Sequence, residues 1–441
     1  MVLQNLKNFL NPQPKQNTEK VFRVTVVAFE DKCNMNCGFR LAEILKQNQL
    51  FDVRFFNEPF AKNFLNLQSR NFFDFIDRGS KILDKTQSDV LIWGYEEEGK
   101  IRLNFQIKNQ YVIPNSLSFS LLDSLFAPLS YFVNPENFSA SFLTLVSAVI
   151  VAAVNPVTND QKKLKPQILY ELIKSLSQDT APKDIAREFM PYIMNMLGKI
   201  YLTNAAFNLN ETTVKIIADL FETALKNRQY IRLPIYYGCM YNNMGQLYEA
   251  AFYNGADKNL SYLRPAISNY QEALKHLNRN YPYDYGVISY HLALMYFEFW
   301  KSTTDLQALR DAVSQLREAE KVFSLTQFPQ SWCHIEGLLG YYLTLLGMST
   351  HSHDLMQLAI NSYKNAQKIY EQSVYPREWA EIQGKIGHIY YLLGKQNEDE
   401  KFMLEARNYF NSALEIYEGI NYKTAVSDTR KSLQKIKNYI D

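Results

Sequence analysis

The chain has 441 residues, 47% of them apolar and 21% charged, which fits a folded protein of two or three domains. A net charge of +2 with no basic tract excludes a general attraction to nucleic acid or to an anionic membrane surface. Four cysteines (Cys33, Cys37, Cys239 and Cys333) are too few for a disulfide framework and read as reduced thiols.

Residues 1–20 lack the apolar core and small-residue cleavage site of a signal peptide and read as a flexible tail. A small α/β domain is expected over 21–115. VFRVTVVAF (21–29) is β-branched and reads as a buried strand, and FRLAEILKQ (39–47) carries a helical stripe. FDVRFF (51–56) is a second strand, and 65–85 is helical. DVLIWGYE (89–96) and KIRLNFQIK (100–108) form a hairpin around Glu97-Glu98-Gly99. This β-α-β-α-β-β order predicts a mixed sheet with some parallel pairing.

The loop after the first strand, EDKCNMNCG (30–38), stands where parallel sheets place ligands. It has one glycine and two acids, a poor phosphate cradle. Cys33 and Cys37 have no histidine near them in sequence, so neither a zinc site nor a Cys-His nucleophile is expected. The chain contains no P-loop, GxGxxG, GxSxG or HExxH. Neither a catalytic residue, a metal ligand nor a cofactor is assigned.

Residues 116–185 read as a connector holding one apolar helix. Its dense part, Phe142 to Val154, is shorter than the roughly 20 residues a spanning helix needs, so it is expected to be buried in protein.

From 186 to 420 the chain repeats itself. WCHIEGLLGYYLTLLG (332–347) and WAEIQGKIGHIYYLLG (379–394) share Trp, Ile and glycines in register, 47 positions apart. The small residues Gly198, Gly245, Ala293, Gly340 and Gly387 form one series, 47 or 48 positions apart. Behind them comes Ala-x3-large-x2-Ala, one face of a second helix: Ala266/Tyr270/Ala273, Ala312/Leu316/Ala319, Ala359/Tyr363/Ala366 and Ala406/Phe410/Ala413. A fainter copy is Ile217/Phe221/Ala224. Pro234, Pro282, Pro329 and Pro376 mark helix starts eleven residues before their anchors. Polar stretches such as 301–307 and 394–401 are expected to be long loops between the paired helices. Residues 421–441 are expected to form a capping helix with one apolar side, Tyr422, Ala425, Leu433, Ile436 and Ile440.

The small residue, the aromatic and the Ala-x3-large-x2-Ala line resemble the tetratricopeptide repeat, here lengthened from its usual 34 residues to about 47. The resemblance implies a mainly α fold: a right-handed α-solenoid of helix pairs behind the small α/β domain. The V-V-A-F-E-D (26–31) and D-V-L-I-W-G (89–94) patterns resemble the small amino-terminal domain of some bacterial tetratricopeptide proteins and the amino-terminal module of the Tol-system protein. The expected function is a non-catalytic, cytoplasmic interaction scaffold whose groove holds a protein or peptide. The positions at −3, +1 and +4 from each anchor would line that groove: Asn242, Gln246, Glu249, Tyr290, Phe297, Tyr341, His388 and Tyr391 among them. The carboxylate clamp of that family wants Lys or Asn at −3 with Asn at +1; only Asn242 fits. Two other readings compete: an enzyme or nucleotide sensor with its site in the α/β domain, and a membrane-associated assembly factor.

Overall fold

The computed structural model describes residues 21–31, 36–60, 69–107, 123–134, 138–154, 158–178, 186–205, 209–254, 258–277 and 281–440. The tail 1–20 and Cys33 lie outside these residues. The chain divides into two compact units, residues 1–288 and 289–441.

In unit 1 the β-branched run becomes β1 (Phe22–Ala28), with Phe22, Val24, Val26 and Val27 fully buried. Burial of both faces explains why the run does not alternate with polar residues. It lies between β2 (Phe51–Pro59) and β3 (Val90–Glu97), parallel to both. β4 (Lys100–Ile107) runs antiparallel to β3, and the five-stranded order is β2-β1-β3-β4-β5. The β3–β4 turn places Glu98 at φ 52° and Gly99 at φ 76°. Two consecutive positive φ angles give the turn the twist of the strands it joins, and glycine adopts its angle without strain. The last strand, β5 (Ser124–Pro128), lies antiparallel to β4 and falls within the stretch read as connector.

Helices α1 (Cys37–Lys46) and α2 (Ser69–Thr86) join the parallel strands, and α3 (Leu129–Val133) follows β5. The apolar run is α4 (Ala140–Ala153), buried from Thr144 to Ala153. It packs on α5 (Asn159–Gln178), α6 (Met190–Ala205) and β4. Lys165 of α5 donates to the carbonyls of Ala152 and Val154 at 2.9 and 2.6 Å, satisfying acceptors that the end of α4 would leave bare. No helix among the described residues is long and apolar enough to cross a membrane.

The remaining helices come in pairs. α6 is followed by α7 (Glu211–Lys226), and α8 (Pro234–Tyr253) by α9 (Leu263–His276). α10 (Pro282–Thr303) carries the boundary between the units and precedes α11 (Leu306–Val322). Unit 2 continues with α12 (Pro329–Thr350), α13 (His353–Ala366), α14 (Pro376–Asn397), α15 (Glu400–Gly419) and α16 (Lys423–Ile440). Each expected proline is the first residue of its helix.

The anchor glycines are explained by these pairs. A Cβ on Gly198 would sit 2.5 Å from Phe221, on Gly245 2.6 Å from Tyr270, and on Gly340 2.8 Å from Tyr363. The first helix thus gives up a side chain so that the large residue of the second can lie on its backbone. Those large residues and their flanking alanines are buried. Gly347 and Gly394 do the same for Met356 and Met403, with Cβ-to-Cγ distances of 2.9 Å at both.

The expected long loops are absent at three turns. α10, α12 and α14 run on until a single left-handed residue stops them: Thr304, His351 and Glu398, at φ 57°, 52° and 52°. The next residue caps the following helix: Asp305, Ser352 and Asp399 accept from the backbone of Gln307, Leu355 and Lys401. Polar composition in 301–307 and 394–401 reflects exposed helix ends and caps, and these residues lengthen the helices instead of forming loops. α16 buries Ile436 against Met403 and Phe410, and sets Ala425 and Val426 against Ala380 and Tyr417.

Candidate functional site

The face at −3, +1 and +4 from the anchors has different surroundings in the two units. In unit 1 it is buried. Asn242, Gln246 and Glu249 are 3%, 2% and 3% exposed, so they are not part of an open groove. Gln246 accepts from Lys199, and Glu249 accepts from the hydroxyl of Tyr270. Asp123, the residue before β5, reaches the same two helices. Its Oδ1 accepts from Asn243 Nδ2 at 2.8 Å, from the Cys239 thiol at 3.1 Å and from Asn195 Nδ2 at 3.5 Å. Burial lowers the pKa of Lys199, and Asp123 and Cys239 resist that shift. Burial, then Asp123, pushes the Cys239 thiol well up, so it is held as a neutral donor.

Three residues along β5, Phe126 lies among Tyr192 of α6 and Tyr236 of α8, with ring centroids 4.3 and 5.8 Å away. Beside them Arg102 of β4 is fully buried. Its Nε and Nη2 donate to Ser124 Oγ at 2.9 and 2.8 Å, and its Nη1 donates to the Tyr95 hydroxyl at 2.7 Å. The guanidinium also lies 5.0 Å from the centre of the Tyr236 ring. Burial opposes its charge; Tyr236, Tyr95 and Glu97 outweigh that and keep it protonated. Burial raises the Glu97 carboxyl, and Arg102 offsets part of the rise.

Sequence reasoning missed this cluster, although one signal pointed to it. Carrying the −3 and +1 rule back to Gly198 gives Asn195 and Lys199, both buried.

In unit 2 the same positions carry an aromatic strip that is open in part. Tyr290 is buried, and its hydroxyl lies 3.0 Å from His334 Nε2. Phe297 is half-buried, stacked on Tyr342 at 4.2 Å and 11°, with Trp300 at 5.4 Å and Tyr341 at 5.7 Å. Tyr341 is 45% exposed. His388 is exposed and Tyr391 half-buried, with ring centroids 6.5 Å apart. Sequence reading did not single out His334, Trp300 or Lys385. His334 lies seven residues before Tyr341, on the same helix face.

Gly337 and Gly384, at −3 on this strip, differ from the anchor glycines. A Cβ on either would meet nothing within 4 Å. Desolvation lowers the pKa of His334, with Lys385 adding to it; His388 is lowered likewise by desolvation and then by Lys435. Both shifts favour the neutral imidazole, which donates from one nitrogen and accepts at the other; His334 Nε2 is engaged by Tyr290. Beneath the strip, Glu336 of α12 is fully buried and accepts from Asn365 Nδ2 at 2.7 Å. Burial raises its pKa, and nearby Glu320 adds to the rise.

The cysteine loop of the α/β domain offers a thiol of low reactivity. Cys37 is fully buried, its backbone N–H donates to Asp31 at 3.1 Å, and burial together with Asp31 pushes the thiol far up. No group of three or more His, Cys, Asp or Glu side chains able to hold a metal occurs among the described residues. No family model matches the chain, and no curated protein matches it.

Proposed function

We propose that the protein is a non-catalytic interaction scaffold, that its helix pairs are tetratricopeptide-like, and that the strip on α10, α12 and α14 receives a peptide or partner protein. One observation carries this reading. Gly337 and Gly384 interrupt long helices at a helix-propensity cost of about 1 kcal/mol each, yet they make room for nothing among the described residues. The anchor glycines show what such a residue does when its space is used: a ring lies on the backbone. Partly exposed aromatic rings beside the two bare positions supply the flat, rigid contact area typical of binding hot spots.

The test is affinity capture with the full chain from its native host, set beside the double variant Gly337→Leu/Gly384→Leu. The double variant keeps the wild-type circular dichroism and loses the captured proteins. If both chains retain the same proteins, the strip is not the binding face.

A further inference from the structure

The sheet of unit 1 has two edges, and they differ. β5 is buried from Ser124 to Ala127 and packs against α6. β2 is nine residues long, and among the described residues no strand lies beyond it. Its Arg54, Asn57 and Glu58 are exposed. The bond from the Phe22 N–H to the Leu50 carbonyl fixes which way the backbone of β2 faces. Along a strand the polar groups of alternate residues turn to opposite sides, so Asp52 and Arg54 serve β1, and Phe51, Val53 and Phe55 turn theirs outward. The Phe51 N–H is taken by the Asn48 carbonyl at 3.2 Å. The Phe51 carbonyl and both groups of Val53 and Phe55 then form a row suited to a further strand.

The charges along this edge complement themselves. Two copies of β2 related by a two-fold axis run antiparallel, and the symmetric registers differ in the residue on the axis. With Asp52 or Arg54 on the axis, like charges meet. With Phe55 there, Asp52 meets Glu58. With Phe56 there, Val53 meets Pro59, which has no N–H. With Val53 there, Asp52 of each copy lies opposite Arg54 of the other. That register also satisfies the backbone: the two Val53 residues exchange both their bonds, and each Phe55 N–H reaches the other copy's Phe51 carbonyl. Asp52 and Arg54 then occupy the closely spaced positions of the ladder, with Cα atoms about 4.5 Å apart. Arg54 is held in place by its bond from Nη1 to the Thr86 carbonyl at 2.8 Å. Asp52 is in ion-pair contact with no described residue, its register neighbour Arg23 included.

We infer that unit 1 docks on a second copy of itself through β2, joining the two sheets into one across a two-fold axis at Val53. The inference is independent of the strip in unit 2. The axis stands perpendicular to the sheet, so both copies of α1 come to the same face. There Phe39, 45% exposed and edge-on to Phe55 at 5.3 Å, gains apolar cover.

Sedimentation equilibrium of the full chain tests this, with circular dichroism to check that each variant folds. The parent is a dimer at micromolar concentration. Arg54→Asp alone and Asp52→Arg alone each set like charges opposite one another, and each weakens the dimer at least about tenfold. The double variant Asp52→Arg/Arg54→Asp regains the parent's dissociation constant, which loss of the Arg54 bond to Thr86 by itself cannot produce. Phe55→Pro removes one outward N–H, leaves the ladder to β1 whole and is monomeric. A monomeric parent overturns the inference. Slow exchange of its Val53 and Phe55 amides then assigns the edge to another segment of the same chain, and fast exchange leaves it to a different protein. A dimer that survives the single charge changes also overturns the inference, because its contact lies elsewhere. Failure of the double variant to regain the dimer overturns the register.

Discussion

The two units treat one helix face in opposite ways. In unit 1 it is buried, and polar side chains there bond one another: Asp123 with Asn195, Cys239 and Asn243, Lys199 with Gln246, and Arg102 with Ser124 and Tyr95. In unit 2 it carries aromatic rings, two bare glycines and lysines at the surface. The contrast teaches that position within a helix pair sets which way a side chain points, while its role depends on whether another element covers it. Asn242 and Tyr341 belong to the same face by the rule that links them; one is core and the other is surface.

Substitutions sharpen the contrast, beginning with the largest expected effect. Arg102→Met removes a buried cation from its hydroxyl partners and leaves Glu97 without its counter-charge. The expected loss is about 3–5 kcal/mol in urea unfolding; a loss under about 1 kcal/mol would mean the sheet is not fastened to the helices through this side chain. Next come Gly245→Ala and Gly340→Ala, one in each unit. Each forces a methyl into an aromatic ring, at about 1–3 kcal/mol.

A third effect depends on pH. The folded state holds the Glu336 carboxyl above its ordinary value of 4.5, so it binds more protons than the unfolded chain in that range. The associated stability is fully present below pH 4.5 and is lost as pH rises through the raised pKa. Glu336→Gln, which keeps an acceptor for Asn365, is expected to flatten that part of the stability profile and to melt higher than the parent at pH 8. The fourth has the opposite sign to the anchor substitutions: Gly337→Ala and Gly384→Ala stabilise by up to about 1 kcal/mol each, read from melting temperature. The smallest is Tyr341→Ala, expected within about 0.5 kcal/mol because its ring is partly exposed; a larger loss would place that ring in the core.

Much of this was legible in the sequence for physical reasons. The proline starts, the buried Ala-x3-large-x2-Ala faces and the parallel-then-hairpin strand order follow from φ restriction, helical periodicity and β-branching. β5 was not legible: SLFAP is five residues long and its Leu-Phe-Ala run does not alternate. The short turns were hidden because Thr304 and Glu398 take left-handed angles that composition assigns to glycine. Periodicity alone orients Tyr341, His388 and Tyr391. Asn242, Gln246 and Glu249 were misplaced as open because helix spacing does not reveal the neighbouring helices, whose Lys199 and Tyr270 engage Gln246 and Glu249.

The lysine clasp on α4 bears on how unit 1 comes apart. The amide protons of this helix are shielded by its own ladder and by a casing of apolar side chains, so solvent deuterium reaches them only after α5, α6 and the sheet have moved away together. Labelling of α4 should therefore proceed at the pace of whole-unit opening, making those fourteen residues an internal clock for unit 1.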